Sequence, residues 1–164
     1  MPFEIPDNLH PDCMPIAWML GTWRGNGHGD YPTIEKFSYG QELIFTHDGR
    51  PFFHYMARSW VVDAEGTKVR DAQQETGFLR CHEGGEVEFL LTHNTGIMEL
   101  WHGQVDGAKL ELTTDAVVRT ETAKEVTAGH RLYGLVEGDL WFAHDMAAVG
   151  QQLQPHLWGK LVRL

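Results

Sequence analysis

Glu86-Val87-Glu88-Phe89-Leu90-Leu91-Thr92-His93-Asn94-Thr95-Gly96 is the stretch whose reading decides the fold. Val87, Phe89 and Leu91 share one face of an extended chain, and Glu88 and Thr92 lie on the other. That alternation marks a half-buried strand, and Asn94-Thr95-Gly96 supplies the turn that ends it. The same pattern recurs downstream in Leu110-Glu111-Leu112-Thr113-Thr114. Outward from there, turn signals fall at short intervals: His47-Asp48-Gly49-Arg50, Asp63-Ala64-Glu65-Gly66, Glu83-Gly84-Gly85, Val105-Asp106-Gly107 and Glu137-Gly138-Asp139. Each sets glycine near an acidic residue, which suits tight hairpins. Strand follows strand with no helical period between, so an antiparallel meander is expected. About ten strands in one domain predict closure into an all-β, up-and-down barrel, because closure removes free edges. One short helix is expected from Cys13 to Leu20, opened by Pro15 and stopped by Gly21. It would plug one end of the barrel. No linker, repeat or low-complexity segment divides residues 1–164, so one domain is expected.

The formal net charge is -10. Nucleic acid and anionic membranes recruit clustered Lys and Arg, so neither is expected as a partner. Met1-Pro2-Phe3-Glu4-Ile5-Pro6-Asp7 lacks the basic and apolar regions of a signal peptide. The longest apolar stretch, Pro15 to Leu20, is too short to span a bilayer. A cytoplasmic location is the expectation. Cys13 and Cys81 form no CxxC pair, and no CxxCH for covalent haem attachment is present. They suit free thiols in a reducing compartment, with one long-range disulfide as the alternative.

Two elements carry chemistry candidates. Gly21-Thr22-Trp23-Arg24-Gly25-Asn26-Gly27 is a GxWxGxG element, followed by Gly29-Asp30-Tyr31-Pro32-Thr33-Ile34. A phosphate loop would need a helix to follow, and Pro32 holds Tyr31 extended instead. Trp23 is expected to cap the barrel floor, with Gly25 and Gly27 permitting a bulge or close backbone approach. Of the ten histidines, none makes a zinc pattern, and most are expected on the surface or in hairpins. Cys81 and His82 are adjacent, so on a strand they face opposite sides. His156 opens the terminal run Pro155-His156-Leu157-Trp158-Gly159-Lys160-Leu161-Val162-Arg163-Leu164. Strict alternation puts His156 with Trp158 and Lys160, opposite Leu157, Gly159 and Leu161, and does not say which face is inside.

Lipocalins and fatty-acid-binding proteins also carry a GxW near their first strand. The extension through Thr33, together with Thr76-Gly77-Phe78-Leu79-Arg80, Asn94-Thr95-Gly96 and Met146 to Leu157, resembles the nitrobindin family of small haem-binding β-barrels. The resemblance covers nearly the whole chain. It implies a ten-stranded barrel with one noncovalent haem b per chain at an open end. The family's axial histidine falls on His156, its haem-contacting threonine on Thr33, and its basic residue near the haem edge on Lys124. It further implies conversion of peroxynitrite to nitrate on ferric haem, with nitric oxide binding as a related property. A histidine ligand leaves the sixth iron position open for such a reaction. The motif fixes no distal base, so an open ferric site is expected. A homodimer across a barrel face is compatible with this reading, and no residue pattern identifies the face. The rival class is a non-enzymatic carrier of a fatty-acid-like or other apolar ligand, with Phe53 and Trp101 as cavity walls. A nitric oxide or haem sensor ranks third, because no effector segment is visible in the chain.

Overall fold

The computed structural model describes residues 2–164. Ten strands follow one another: β1 (Gly21–Tyr31), β2 (Ile34–Thr46), β3 (Phe52–Val62), β4 (Lys68–Cys81), β5 (Glu86–His93), β6 (Ile97–Asp106), β7 (Lys109–Arg119), β8 (Val126–Val136), β9 (Asp139–Ala148) and β10 (Gln154–Arg163). Each pairs antiparallel with its sequence neighbours, and β1 pairs with β10 to close the barrel. Several hairpins turn where the Gly-and-acidic signals lie, and Gly66, Gly96, Gly107 and Gly138 take the positive φ those turns require. β5 buries Val87, Phe89, Leu91 and His93 in strict alternation, as its sequence pattern predicts.

The two ends of the barrel differ. At the closed end, Pro11–Met19 forms a 3-10 plug in place of the expected helix from Cys13 to Leu20. Pro15 lies inside it and has no N–H for an α-helical bond to Pro11. The plug buries Cys13, Ile16, Ala17 and Met19. Trp23 is fully buried against it and donates its indole N–H to the Met19 carbonyl at 2.8 Å. The Arg163 guanidinium covers the Trp23 ring at 4.1 Å and donates to the Trp18 and Leu20 carbonyls at the end of the plug. Gly21 sits at φ 115°, a conformation that suits glycine where the chain turns from plug to strand. Gly25 faces the lumen, where a Cβ would lie 2.2 Å from the Lys160 carbonyl; at Gly27 it would lie 2.6 Å from the Tyr39 ring. The glycine element is therefore a packing device inside β1 and cradles no phosphate.

At the open end the ladder is broken twice on adjacent strands. The β1–β2 register shifts between Gly29 and Tyr31, so Asp30 has no partner on β2. The β10–β9 register shifts between Pro155 and Leu157, so His156 is the extra residue of a bulge. The bulge changes the face assignment that strict alternation predicts. Trp158 and Lys160 point outward, whereas His156 joins Leu157 on the lumen side.

Candidate functional site

The open end leads into a cavity of about 460 Å³. Its walls are mostly apolar: Ile34, Leu43, Ala57, Ile97, Val126, Phe142, Met146 and Leu157. His156 stands at this end. Its Nδ1 lies 3.1 Å from the Asp30 carbonyl. Asp30 pairs with neither neighbouring strand, so its carbonyl is free to accept the Nδ1–H. That bond fixes the tautomer and leaves Nε2 as the nitrogen with a lone pair, the arrangement a metal-ligating histidine requires. Burial holds the His156 pKa below its ordinary value against the opposing pull of the Asp30 carbonyl, and the Lys124 charge adds to the lowering. The imidazole is neutral near neutral pH.

Tyr31 packs edge-on against His156, with ring centroids 5.3 Å apart. Its hydroxyl donates to the Met146 carbonyl at 3.0 Å and accepts from the Ala148 N–H at 2.9 Å. One phenol thus ties β1 to the end of β9 beside the histidine. Thr33, in the two-residue turn after Tyr31, and Lys124, in the loop before β8, both line the cavity. The three residues expected at the site, His156, Thr33 and Lys124, are brought together from regions far apart in the chain. Gly21, Trp23, Gly25 and Gly27 are not part of it; Trp23 lies at the opposite end, in the packed core.

Deeper in the lumen is a polar floor with no signal in the sequence pattern. Arg131 donates two bonds to Glu75, at 2.7 and 2.9 Å, and a third to the Tyr133 hydroxyl. Tyr55 donates to Glu75 at 2.7 Å. Burial alone would raise the Glu75 pKa; the Arg131 charge and its paired hydrogen bonds outweigh it and hold the carboxyl well below the usual range. The His93 ring is bracketed by carboxylates, Nδ1 3.2 Å from Glu75 and Nε2 against Glu99. His144 sits between floor and mouth, its ring 6.2 Å from His156 and 5.9 Å from Trp101. Burial and the Arg131 charge keep it neutral. Tyr39 Oη, Gln41 Nε2 and Arg131 Nε are buried without partners.

The residues present fit a haem. A neutral imidazole offers a free Nε2, the cavity is apolar and within the size range of cofactor sites, and Lys124 and Thr33 offer a cation and a hydroxyl at the same opening. Residues 12–163 match the THAP4-like, heme-binding beta-barrel domain family. The chain belongs to this family. It is 72% identical over 163 residues to a protein of Nocardioides sp. named peroxynitrite isomerase, covering 99% of each chain. It is 46% identical over 165 residues to a Cutibacterium acnes protein named ferric nitrobindin-like protein, again covering 99% of each. Its barrel superposes on the crystal structure of Rv2717c from M. tuberculosis with a TM-score of 0.85 at 39% identity, covering 95% of this chain and 99% of that one.

Membership in a haem-binding family gives the polar residues of the lumen their context. Two histidines depart from the expected surface or hairpin placement: His93 is buried in the floor and His144 lines the cavity. Cys81 and His82 do face opposite sides, Cys81 buried and His82 partly exposed. Phe53 and Trp101, expected as walls of a carrier cavity, are instead fully buried in the core outside the cavity lining. The one available sequence signal for His93 and Arg131 was positional, since each occupies an inward slot of its strand.

Proposed function

We propose that this chain binds one haem b without covalent attachment through His156 Nε2, converts peroxynitrite to nitrate at the ferric form, and also binds nitric oxide. The observation that carries the reading is the bulged His156, neutral, with Nδ1 committed to the Asp30 carbonyl. The 72% identity to a protein named peroxynitrite isomerase supports the activity. Ferric haem, when bound, supplies the Lewis-acidic iron at which peroxynitrite rearranges. The protein's own residues do the rest. Ile34, Leu43, Ile97, Phe142 and Leu157 exclude water from the cavity. Tyr31 holds β9 in place beside the ligand. Thr33 and Lys124, which line the same opening, would help to hold the haem, and Lys124 adds positive potential for an incoming anion.

The carrier reading would use a buried arginine to hold a fatty-acid carboxylate. Arg131 is already gripped by Glu75 through two hydrogen bonds, which disfavours that role. Among the described residues, no helix is long and apolar enough to cross a membrane. A cytoplasmic location is part of this proposal, in keeping with two cysteines that form no CxxC pair. We further propose a homodimer across a barrel face. Light scattering that gives the mass of one chain would remove the dimer. The activity is tested by mixing haem-loaded protein with peroxynitrite in a stopped-flow instrument and measuring nitrate and nitrite. Faster decay with nitrate as the dominant product is expected; an unchanged decay rate refutes it.

A further inference from the structure

Cys13 and Cys81 lie at the closed end, at the far end of the barrel from His156. Cys13 belongs to the plug, and Cys81 is the last residue of β4. The two are 68 residues apart in sequence, yet their sulfurs lie 2.8 Å apart, both as free thiols. Each is essentially shielded from solvent, with 0% and 2% exposure. Around them are the Arg50 carbonyl, 4.0 Å from the Cys13 sulfur, and the Leu79 carbonyl, 3.8 Å from that of Cys81. The charged side chain acting on both thiols is Asp12, and among the described residues no group of three His, Cys, Asp or Glu side chains could hold a metal ion. Two touching thiols without a metal site have one shared chemistry, oxidation to a disulfide.

We propose that Cys13 and Cys81 form an oxidisable dithiol, which a peroxide converts into a disulfide strapping the plug to the end of β4. The inference is independent of haem binding. The hydrogen bond between the two thiols favours the thiolate form of Cys13 and, together with burial, pushes Cys81 up; Cys13 lies on the plug, the segment whose opening admits the oxidant, so it is the first nucleophile. Its sulfur attacks one oxygen of hydrogen peroxide. The S–O bond forms as the O–O bond breaks, sulfur gives up two electrons, and the departing hydroxide takes up the thiol proton as water. The Cys81 sulfur then attacks the sulfenic sulfur. The S–S bond forms, the S–O bond breaks, and hydroxide leaves as water with the Cys81 proton. Two thiols and one hydrogen peroxide become one disulfide and two waters. A peroxynitrite anion in the same role leaves as nitrite with one water.

The strap would join segments otherwise held by packing and by the bonds that Trp23 and Arg163 make to the plug's carbonyls. Because both sulfurs are buried, the rate is set by opening of the plug rather than by encounter with the oxidant. A reducing environment keeps the pair as thiols, and an oxidant burst closes it.

The test treats the purified full-length chain with hydrogen peroxide, quenches with iodoacetamide under denaturing conditions, and measures intact mass and non-reduced tryptic peptides. The expected result is loss of the mass of two hydrogen atoms, a peptide linking Cys13 to Cys81, and a rise in Tm of roughly 5–15 °C that dithiothreitol reverses. Cys13→Ser and Cys81→Ser should show neither change. If a serine variant fails to fold, the wild-type peptide map decides alone. Full alkylation of both cysteines after peroxide treatment, added oxygen without a cross-link, or links between chains would each overturn the proposal. Haemin titration of the strapped protein should match that of the reduced protein, so failure here and failure of the haem reading are separate results.

Discussion

The closed and open ends of the barrel use similar residue types to opposite purposes. At the closed end, Trp23, Arg163 and the plug satisfy one another: the indole N–H has its carbonyl, and the guanidinium has its ring and its carbonyls. At the open end, the ladder is interrupted at Asp30 and His156, and the freed groups find each other across the β1–β10 seam. Inside it, Tyr39, Gln41 and Arg131 keep polar atoms without protein partners. Groups of that kind cost about 1–3 kcal/mol each when buried and unpaired. Stability is concentrated at one end and binding capacity at the other.

Substitutions can break that division. Trp23→Ala should cost about 3–5 kcal/mol in urea unfolding, because a fully buried indole leaves a cavity and an uncovered guanidinium, while haemin affinity stays near wild type in the folded fraction. A large loss of haemin affinity would show that the ends are not separable. Arg131→Met should cost a comparable amount, about 3–5 kcal/mol, by leaving Glu75 buried without its counter-charge. The wild-type pH profile sharpens this. The folded Glu75 pKa is depressed, so its contribution is complete above the ordinary carboxylate range and is lost as pH falls toward the folded value. Stability should therefore decline on acidification below about pH 4.5, and the decline should be shallower in Glu75→Gln. Equal slopes would remove Glu75 from the account.

Smaller effects are expected at the mouth. Tyr31→Phe leaves the Met146 carbonyl and the Ala148 N–H without their partner, at about 1–3 kcal/mol, and should weaken haemin binding by loosening β9 beside His156. Unchanged haemin affinity would make the phenol a purely structural tie. Lys124→Ala, at an exposed loop position, should change stability by under about 0.5 kcal/mol and haemin affinity only a few-fold, with the difference shrinking in high salt.

Much of the barrel was legible because its signals are local. A glycine beside an acidic residue marks a hairpin whatever lies elsewhere, and the Val87, Phe89, Leu91 alternation needs only its own strand. The site residues His156, Thr33 and Lys124 were reached through family resemblance, and the structure places all three on one cavity. What stayed hidden depends on distant partners. The bulge that turns His156 inward is a property of the β9–β10 register, whereas alternation within β10 groups it with Trp158 and Lys160 and leaves the inner face open. Glu75 and Arg131 occupy inward slots where a charged residue reads as an outward one, until the ion pair across the lumen explains both. The contact between Cys13 and Cys81 spans 68 residues and leaves no trace in either local sequence. Pro15 suits a helix opener by its local sequence, whereas it lies within a 3-10 segment that begins at Pro11.

The most direct test is a haemin titration of wild type and His156→Ala, followed at the Soret band with far-ultraviolet circular dichroism in parallel. The account predicts saturation at one haem per chain in wild type, no saturable band in the variant, and matching dichroism spectra for the two. It also predicts that wild-type binding persists below pH 6.5, because burial holds the His156 pKa down and a proton competes for Nε2 only at more acid pH. Superimposable titration curves for the two proteins would contradict the assignment of His156 as the iron ligand.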